Sequence, residues 1–492
     1  MSRIPAFAFG GLGLAALCAA APLAAQAPTA DSLWAAGNFA AAKVEYERAL
    51  HDNPGWVRAL YRLGILASWD GRLDSALALF RDARELEPAD ADVRAAEARV
   101  LAWDGRYAAA LLRYDSLLAE NPENRDARFG RAQANAWWGR HPEAEREYLA
   151  LIERNPEDAE ALVGLAQLRQ WQGRPDEASR YATMALRVAP EDRAAREVAQ
   201  QARALSRPRL ELTLGLSHDS DDNNVWWQSL ATSMVLADGL RGFASVGALE
   251  ASDPVEDGAT RLHGEVGASL SRGNLGLTGA VGGRKLSSDF GIDHSLATWR
   301  AGASLRFGPG SGAGIGYAHY SFDETAGLIS RELNVDELSL EGDVELTRRL
   351  SLGLGASRGW LSDDNSRQSF VVALTQRVAP RVTVGLYGRA LSYDFKGVGY
   401  FSPDPFLLGE ARSAWTRVGG RWETRLSGGL GVQQIGSGAR AQSEWHVEGR
   451  VARRWATINE VALSAGFSTS AVSSTTGAFD FYTMALSLRL GL

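Results

Sequence analysis

The pattern of hydrophobic and polar positions changes once along this chain, near Ser206. Before that point, apolar residues recur at helical spacing inside a repeated unit. Beyond it, apolar and polar residues alternate at every second position. Strict alternation is typical of strands that have one apolar and one polar face. The sequence therefore predicts a helical region followed by strands over residues 209–492.

Turn-forming and small residues divide the helical region into units of about 34 residues. Glycine, alanine and proline recur in the same order in five successive units: Gly37, Gly71, Gly105, Gly139 and Gly173; Ala42, Ala76, Ala110, Ala144 and Ala178; Pro54, Pro88, Pro122, Pro156 and Pro190. The glycine permits the reversal between two helices, and the proline ends the second helix. This pattern resembles tetratricopeptide repeats, which stack pairs of helices into a binding scaffold.

A Trp-x-Gly-Arg motif stands at four of these turns. Its tryptophans are Trp69, Trp103, Trp137 and Trp171. One interpretation is that they pack between neighbouring helix pairs. The other is that they border the concave groove and stack on sugar rings or on a partner helix, so that they bind a ligand. The sequence leaves both open.

The alternating region predicts a membrane barrel. It divides into 16 strands, the first at 209–217 and the last at 478–492. Long acidic or serine-rich connections, such as 253–257 and 362–365, alternate with tight ones, such as 272–273 and 348–349. Long outer loops, short periplasmic turns and a lipid-facing apolar band are typical of outer-membrane barrels. The predicted fold is α + β with two domains, an N-terminal tetratricopeptide α-solenoid followed by a 16-stranded antiparallel transmembrane β-barrel.

The polar face of the predicted strands carries charges of both signs. The candidate pore-lining residues are Glu341, Asp343, Glu345, Tyr387, Arg389, Glu423, Arg425, Glu444, His446 and Glu448. A 16-stranded barrel is wide enough for a lumen. These charges are interpreted either as ion pairs that stiffen the wall or as a polar track for a hydrated polymer.

The N-terminus has the features of a secretory signal. Arg3 precedes an apolar run that begins at Phe7, and small residues follow at Ala24 and Ala25. We expect a signal peptide over 1–27, a periplasmic solenoid over 28–207, and a barrel over 208–492 in the outer-membrane lipid. The only cysteine, Cys18, lies in the signal, so the mature chain should contain neither a disulfide nor a cysteine-ligated metal.

Composition and motifs argue against other function classes. The net charge is −7, from 52 Lys and Arg against 59 Asp and Glu, which argues against a nucleic-acid partner. No His-Glu-x-x-His, Gly-x-Ser-x-Gly or phosphate-loop motif occurs. We therefore expect no catalytic residue, cofactor or metal site. A barrel lipase with His218, His294 or His319 beside loop serines stays a minor alternative.

The combination of Trp-x-Gly-Arg repeats with a 16-stranded barrel resembles the tetratricopeptide–porin exporters of bacterial exopolysaccharide, such as the cellulose synthase operon protein C and the poly-N-acetylglucosamine exporter. Residues 397–406 look like the Gly-Tyr-Tyr/Phe-Ser-Pro loop of the cellulose exporter. The resemblance implies a channel for a cellulose-like or amino-sugar polymer. It also implies that the solenoid docks the polymer or periplasmic or inner-membrane synthase components.

The same loop, with Tyr400, Phe401 and Pro403, is the candidate plug or gate, and the alternative is a loop exposed at the rim. The chain has fewer repeats than the cellulose exporter. A second resemblance, to YaiO-type repeat-plus-barrel outer-membrane proteins, implies a different function. On this hypothesis the protein is an anchored scaffold for protein docking that conducts no polymer.

Overall fold

The computed structural model describes residues 29–255, 258–308, 310–471 and 479–492. The predicted signal peptide, with Cys18, lies outside the described residues. Eleven helices come first: α1 Ala30–Ala35, α2 Phe39–Asp52, α3 Val57–Trp69, α4 Leu73–Leu86, α5 Ala91–Trp103, α6 Tyr107–Glu120, α7 Arg125–Trp137, α8 His141–Arg154, α9 Ala159–Trp171, α10 Pro175–Val188 and α11 Arg193–Ser206. The first ten form the five predicted pairs, and α11 follows the last pair.

The repeated small residues explain how the helix pairs pack. The alanine is fully buried in every unit, and the aromatic residue four positions later is buried in the first four units, as Tyr46, Phe80, Tyr114 and Tyr148. A Cβ on Gly130 would lie 2.4 Å from Cζ of Tyr114, and a Cβ on Gly164 would lie 2.5 Å from Cε1 of Tyr148. The ring of one repeat therefore packs on a glycine of the next.

The turns of the repeats use glycine for its backbone freedom. Each of the five repeat glycines has a φ between +73° and +80°, in the left-handed region that side-chain-bearing residues avoid. Three of the helices that follow a proline begin with a polar cap: the side chains of Asn124, Asp158 and Asp192 accept hydrogen bonds from backbone amides three residues on. Between α6 and α11, glycine turns and polar caps therefore alternate along the chain.

The chain divides into two compact units between Val100 and Leu101. The first contains the helices up to most of α5, and the second contains α6–α11 and all the strands. The predicted domain bounds, 28–207 and 208–492, stay a prediction. Among the described helices, none is long and apolar enough to cross a lipid bilayer.

Sixteen antiparallel strands form a closed barrel in which each strand pairs with its sequence neighbours and β1 pairs with β16. The strands are β1 Arg209–His218, β2 Asn224–Ala237, β3 Leu240–Ser252, β4 Ala259–Arg272, β5 Leu275–Ser288, β6 Asp293–Gly308, β7 Ser311–Ser321, β8 Asn334–Thr347, β9 Leu350–Leu361, β10 Ser366–Ala379, β11 Val382–Tyr393, β12 Phe406–Gly419, β13 Trp422–Ile435, β14 Gln442–Arg454, β15 Glu460–Ser468 and β16 Phe481–Gly491. The predicted fold class and the number of strands are confirmed.

Alternate residues of each strand face outward and expose apolar side chains, among them Leu230, Val246, Val266, Val281, Leu340, Leu386, Leu430 and Leu486. The residues between them face the interior. A closed barrel with an apolar outer surface satisfies every backbone group of its strands, as the hydrocarbon core of a bilayer requires. This is the architecture of outer-membrane barrels.

The two ends of the barrel differ. At one end, here called the turn end, strands are joined by tight turns such as 238–239, 273–274, 348–349 and 420–421, and by the longer connection 455–459. At the other, the loop end, the connections are longer and include 322–333, 394–405 and 469–480. The 322–333 connection contains a short helix, α12 (Ala326–Ile329), which the alternating pattern of the strands does not predict.

Strand bounds differ from the predicted ones by a few residues. The alternation predicts a strand over 227–236, but β2 begins at Asn224, directly after the turn in which Asn223 donates to Asp219. The alternation also predicts a strand over 457–470, but β15 ends at Ser468, because Ser470 donates to Oε1 of Gln433. Local polar contacts therefore decide these ends.

Candidate functional site

The barrel interior contains the predicted pore-lining residues. The inward face holds Glu341, Asp343 and Glu345 on β8, Tyr387 and Arg389 on β11, Glu423 and Arg425 on β13, and Glu444, His446 and Glu448 on β14. Within the described part of the chain, no ion pair is found for the three acidic residues of β8. They form an exposed acidic stripe along one strand.

Other inward charges are paired. Near the turn end, Arg454 donates to Glu423 at 2.7 Å and to Glu460 at 2.8 Å, and Arg450 also binds Glu460. These four side chains lie on β13, β14 and β15 and form one network of ion pairs. On the opposite part of the wall, Arg300 binds both carboxylate oxygens of Glu265, at 2.8 and 2.9 Å. Paired and unpaired charges therefore occur on the same inner wall, and the choice between stiffening ion pairs and a polar track for a polymer stays a prediction.

The connection 322–333 folds into the loop end of the barrel. Ala326 and Ile329 of α12 are fully buried, and they pack against inward residues of β2 to β5: Val225, Leu249, Ala251, Ala259 and Leu286. An apolar helix turn in contact with the inner wall excludes water from that part of the lumen. The structure thus places an apolar obstruction inside the barrel.

Asp323 fixes this connection to the wall. Its carboxylate is fully buried and accepts from Arg261 at 2.7 Å, from Arg284 at 2.5 Å and from the hydroxyl of Ser321 at 2.5 Å. Arg261 and Arg284 project inward from β4 and β5. Two cations on one buried carboxylate form a strong, directional attachment.

The predicted plug loop lies against the same end of the lumen. Tyr400 is buried, and its hydroxyl donates to Asp363 at 2.8 Å and accepts from Asn365 at 2.7 Å. Burial raises the pKa of Tyr400, so the hydroxyl stays protonated. Phe401 packs edge to face with Phe406, and the carbonyl of Pro403 accepts from the backbone amide of Tyr393. The loop is held by side chains and backbone alike.

The two connections share one apolar cluster, here called the plug cluster. It is formed by Phe322, Leu328 and Leu333 of the first connection, Tyr400 of the second, Ala471 of the connection after β15, and the wall residues Val335, Leu361, Leu391, Tyr393, Phe406 and Leu408. The ring of Tyr400 lies 6.1 Å from that of Phe322. Because Ala471 follows β15 and Val335 lies on β8, on well-separated strands of the barrel, the cluster extends across the lumen.

At the turn end, the repeat turns of the second unit contact the short turns of the barrel. Arg348 binds Asp104 at 2.9 Å. Asn274 donates to the carbonyl of Gly139 at 3.1 Å, and Arg306 donates to the carbonyl of Trp171 at 3.3 Å. Three repeat turns thus contact the turn end of the barrel at three different places. We call this set of contacts, together with the donation from Arg241 to the carbonyl of Leu205, the rim contacts.

The four motif tryptophans are neither fully buried nor fully exposed. Trp69 is 55% exposed and stacks on Trp34, while Trp171 is 41% exposed. Trp103 and Trp137 are of intermediate exposure. Partial packing leaves an aromatic surface free at Trp69 and Trp171. Whether these residues bind a ligand stays a prediction.

The histidines considered for a barrel lipase have polar neighbours other than serine. His218 lies 3.1 Å from the amide oxygen of Asn224, His294 lies 3.4 Å from Glu332, and His319 lies 3.0 Å from Asp336. None of these contacts joins a histidine to a serine nucleophile.

Several residues of the site are not indicated by any pattern in the sequence. Asp323, Arg261 and Arg284 were not predicted, and neither were Glu410 and Arg412 on the inner face of β12. The apolar run Ala326–Ile329, inside a connection between two strands, is the one signal that points to α12. The ion pairs of Asp323 join residues far apart in sequence, so no local pattern indicates them.

Tetratricopeptide-repeat family models match residues 33–100 and 138–169. The helical region consists of tetratricopeptide repeats. Together with the closed barrel, these matches confirm the repeat-plus-barrel architecture that the sequence resemblance implied. No curated protein sequence matches the chain.

Three solved structures are similar to parts of the chain. A bacterial polysaccharide outer membrane secretin has 12% identity and a TM-score of 0.48, covering 58% of this chain and 99% of that one. A tetratricopeptide repeat protein from Parabacteroides merdae has 22% identity and a TM-score of 0.31, covering 36% of this chain and 70% of that one. A thermophilic tetratricopeptide protein from Thermus thermophilus has 25% identity and a TM-score of 0.32, covering 35% and 95%.

Proposed function

We propose that the protein is an outer-membrane channel that exports an exopolysaccharide, with the loop end outside and the repeats in the periplasm. The observation that carries the proposal is the lumen itself: a 16-stranded wall lined with charge, obstructed at the loop end by segments of the same chain. A barrel of this size encloses a channel unless something fills it. A channel filled by its own loops is suited to regulated passage.

The inner wall supports a hydrated polymer as the cargo. Paired charges such as Arg454 and Glu423 stiffen the wall. The acidic stripe of Glu341, Asp343 and Glu345 faces the lumen and offers carboxylate acceptors at three consecutive inward positions of β8. Sugar hydroxyls and protonated amino groups are donors for such acceptors. The stripe therefore favours a neutral or amino-sugar polymer over an acidic one.

The plug cluster supports gating. Its two connections rest on buried contacts, but they are connections rather than strands, so they can move without breaking the barrel hydrogen bonds. The attachment of Asp323 to Arg261 and Arg284 sets the closed position. A polymer that enters from the turn end would displace these segments to leave.

The rim contacts support a role for the repeats in delivery. They hold the repeat turns against the turn end, where a polymer made at the inner membrane would enter. Tetratricopeptide arrays bind protein or polymer partners and carry no chemistry of their own. The repeats would dock the polymer or its periplasmic or inner-membrane synthase components.

The obstructed lumen favours one alternative, an anchored scaffold that docks a periplasmic protein and conducts nothing. Conductance distinguishes the two functions. In planar bilayers the wild-type protein should show small or intermittent conductance, and deletion of residues 397–404 should increase it, because Tyr400 and Phe401 leave the lumen with that segment. When the gene is deleted in the host bacterium, the polymer should accumulate in the periplasm.

A matched control is a deletion within another loop-end connection, 438–440, which contributes no residue to the plug cluster and leaves Ser437 bound to the carbonyl of Asp404. This variant should conduct like the wild type. If the 397–404 deletion stays silent although it migrates as a folded, heat-modifiable barrel, and the gene-deletion strain secretes polymer normally, the export function is wrong and the scaffold is the better account.

A further inference from the structure

Three inward side chains converge on one point of the inner wall. Glu410 lies on β12, and Glu444 and His446 lie on β14. One ligand atom of each lies within 4.8 Å of those of the other two. Glu410 is 5% exposed and Glu444 is 2% exposed. The group is therefore a buried cluster of two carboxylates and one imidazole.

The intervening strand makes room for this cluster. On β13, Gly431 is paired with Glu444 and with Glu410, and Gly429 is paired with His446. A Cβ on Gly431 would lie 2.6 Å from Oε1 of Glu444, and a Cβ on Gly429 would lie 2.5 Å from Cε1 of His446. Two glycines at inward positions allow side chains of β12 and β14 to meet across β13.

The hydrogen bonds in the cluster are unequally distributed. Glu410 binds Nδ1 of His446 through Oε1, at 2.9 Å, and accepts from Nε of Arg412 through Oε2, at 2.6 Å. In contrast, neither oxygen of Glu444 has a hydrogen-bond partner among the described residues. A buried carboxylate without a partner is strongly unfavourable, so it requires a proton or a cation.

We propose that Glu410, Glu444 and His446 bind a divalent transition-metal ion of the Zn²⁺ class. An imidazole nitrogen with two carboxylates is a donor set found at zinc and related sites, whereas Mg²⁺ and Ca²⁺ prefer oxygen ligands alone. Arg412 contacts the far oxygen of Glu410, and its guanidinium lies 3.3 Å from the ring centroid of Tyr387. It thereby holds Glu410 in place, as outer partners of metal ligands do.

The position of the site indicates its role. Along β12, the inward residues before Glu410 are Phe406 and Leu408, both part of the plug cluster. A metal ion shared by β12 and β14 would tie these strands together directly beneath that cluster. This inference concerns binding at the wall and does not depend on the export of a polymer.

The test uses the full-length protein in detergent, stripped with a chelator and titrated calorimetrically with ZnCl₂, MnCl₂ and MgCl₂. We expect one equivalent of Zn²⁺ to bind, and Mg²⁺ to bind at least about a hundredfold more weakly. Co²⁺ should give visible absorption bands typical of a nitrogen- and oxygen-ligated ion, which reports the ligand set directly.

Glu444→Gln and His446→Gln should each weaken Zn²⁺ binding by at least about a hundredfold, since loss of an outer partner alone costs about ten- to a hundredfold. Glu448→Gln is the matched control, because Glu448 lies on the same face of β14 outside the cluster. Heat-modifiable migration verifies that each variant is folded.

Equal Zn²⁺ affinity in Glu444→Gln and Glu448→Gln, or no binding by the wild type, would overturn the metal site. Glu410 and Glu444 would then share a proton. In that case Glu444→Gln, a neutral substitute of the same shape, should leave the barrel as resistant to heat as the wild type.

Discussion

In the proposed gating, the closed position of the 322–333 connection depends on Asp323. Replacing it by Asn leaves Arg261 and Arg284 facing each other without their shared carboxylate. Breaking a buried ion pair in this way costs about 3–5 kcal/mol. This destabilisation affects the 322–333 connection rather than the strands. We therefore expect Asp323→Asn to keep the barrel folded and to raise the conductance in planar bilayers severalfold.

The matched control for this substitution is Asp293→Asn. Asp293 also lies at the loop end, but it forms an exposed pair with Lys285 at 3.2 Å, with 70% of its side chain accessible. Exposed pairs contribute at most about 1 kcal/mol. Asp293→Asn should therefore conduct like the wild type. Identical single-channel records for both variants would show that Asp323 does not hold the lumen closed.

At the scale of the elements, helices α8 and α9 are joined by an ion pair whose contribution to stability depends on pH. Arg169, 4% exposed, donates to both oxygens of Glu145, at 2.6 and 2.7 Å. These hydrogen bonds hold the pKa of Glu145 below its ordinary value of 4.5. The pair's stabilisation is therefore complete above pH 4.5 and is lost as the pH falls through the lowered pKa. Glu145→Gln should lower the melting temperature of the repeats at about pH 6 and reduce its decline towards about pH 3.5.

The measurement is the thermal loss of helical ellipticity at 222 nm, between pH 3.5 and 6.5. Burial raises the pKa of the neighbouring Glu177, which gives an opposite pH dependence, so the difference between wild type and variant is the relevant quantity. Glu153→Gln, an exposed position on α8, is the control. Parallel pH profiles for wild type and Glu145→Gln would contradict the assigned role of the pair.

Elements whose pattern is local could be predicted from the sequence, and contacts between distant elements could not. The repeat glycines and the alternation of β16 indicate a turn and a strand by themselves. The fold of 322–333 depends on Arg261 and Arg284, which are far away in sequence. Likewise, Glu410 meets Glu444 only because the registers of β12, β13 and β14 align them. A shift of one residue would turn these side chains to the outer face.

At the scale of the whole second unit, the rim contacts join two kinds of architecture. They are spread over several repeats, and each is weak: the exposed pair of Arg348 and Asp104 contributes about 0.2–1 kcal/mol. A Cβ on Gly105 would lie 2.8 Å from Nε of Arg348, so the repeat turn and the barrel turn also touch. Several weak contacts that act together hold the repeats to the turn end more firmly than any single contact does.

The strength of this attachment can be measured with spin labels at Ser116→Cys on α6 and Arg381→Cys in a barrel turn, by pulsed electron resonance. The wild type should give one narrow distance distribution. Asp104→Arg should broaden it, because two cations then face each other, and the exchange Asp104→Arg with Arg348→Asp should restore it. Replacing Arg241, Asn274 and Arg306 by Ala in addition to Asp104→Arg should produce a broad distribution. If that four-residue variant keeps the narrow distribution, the rim contacts do not fix the repeats to the barrel, and delivery of a polymer from the repeats into the lumen loses its structural basis.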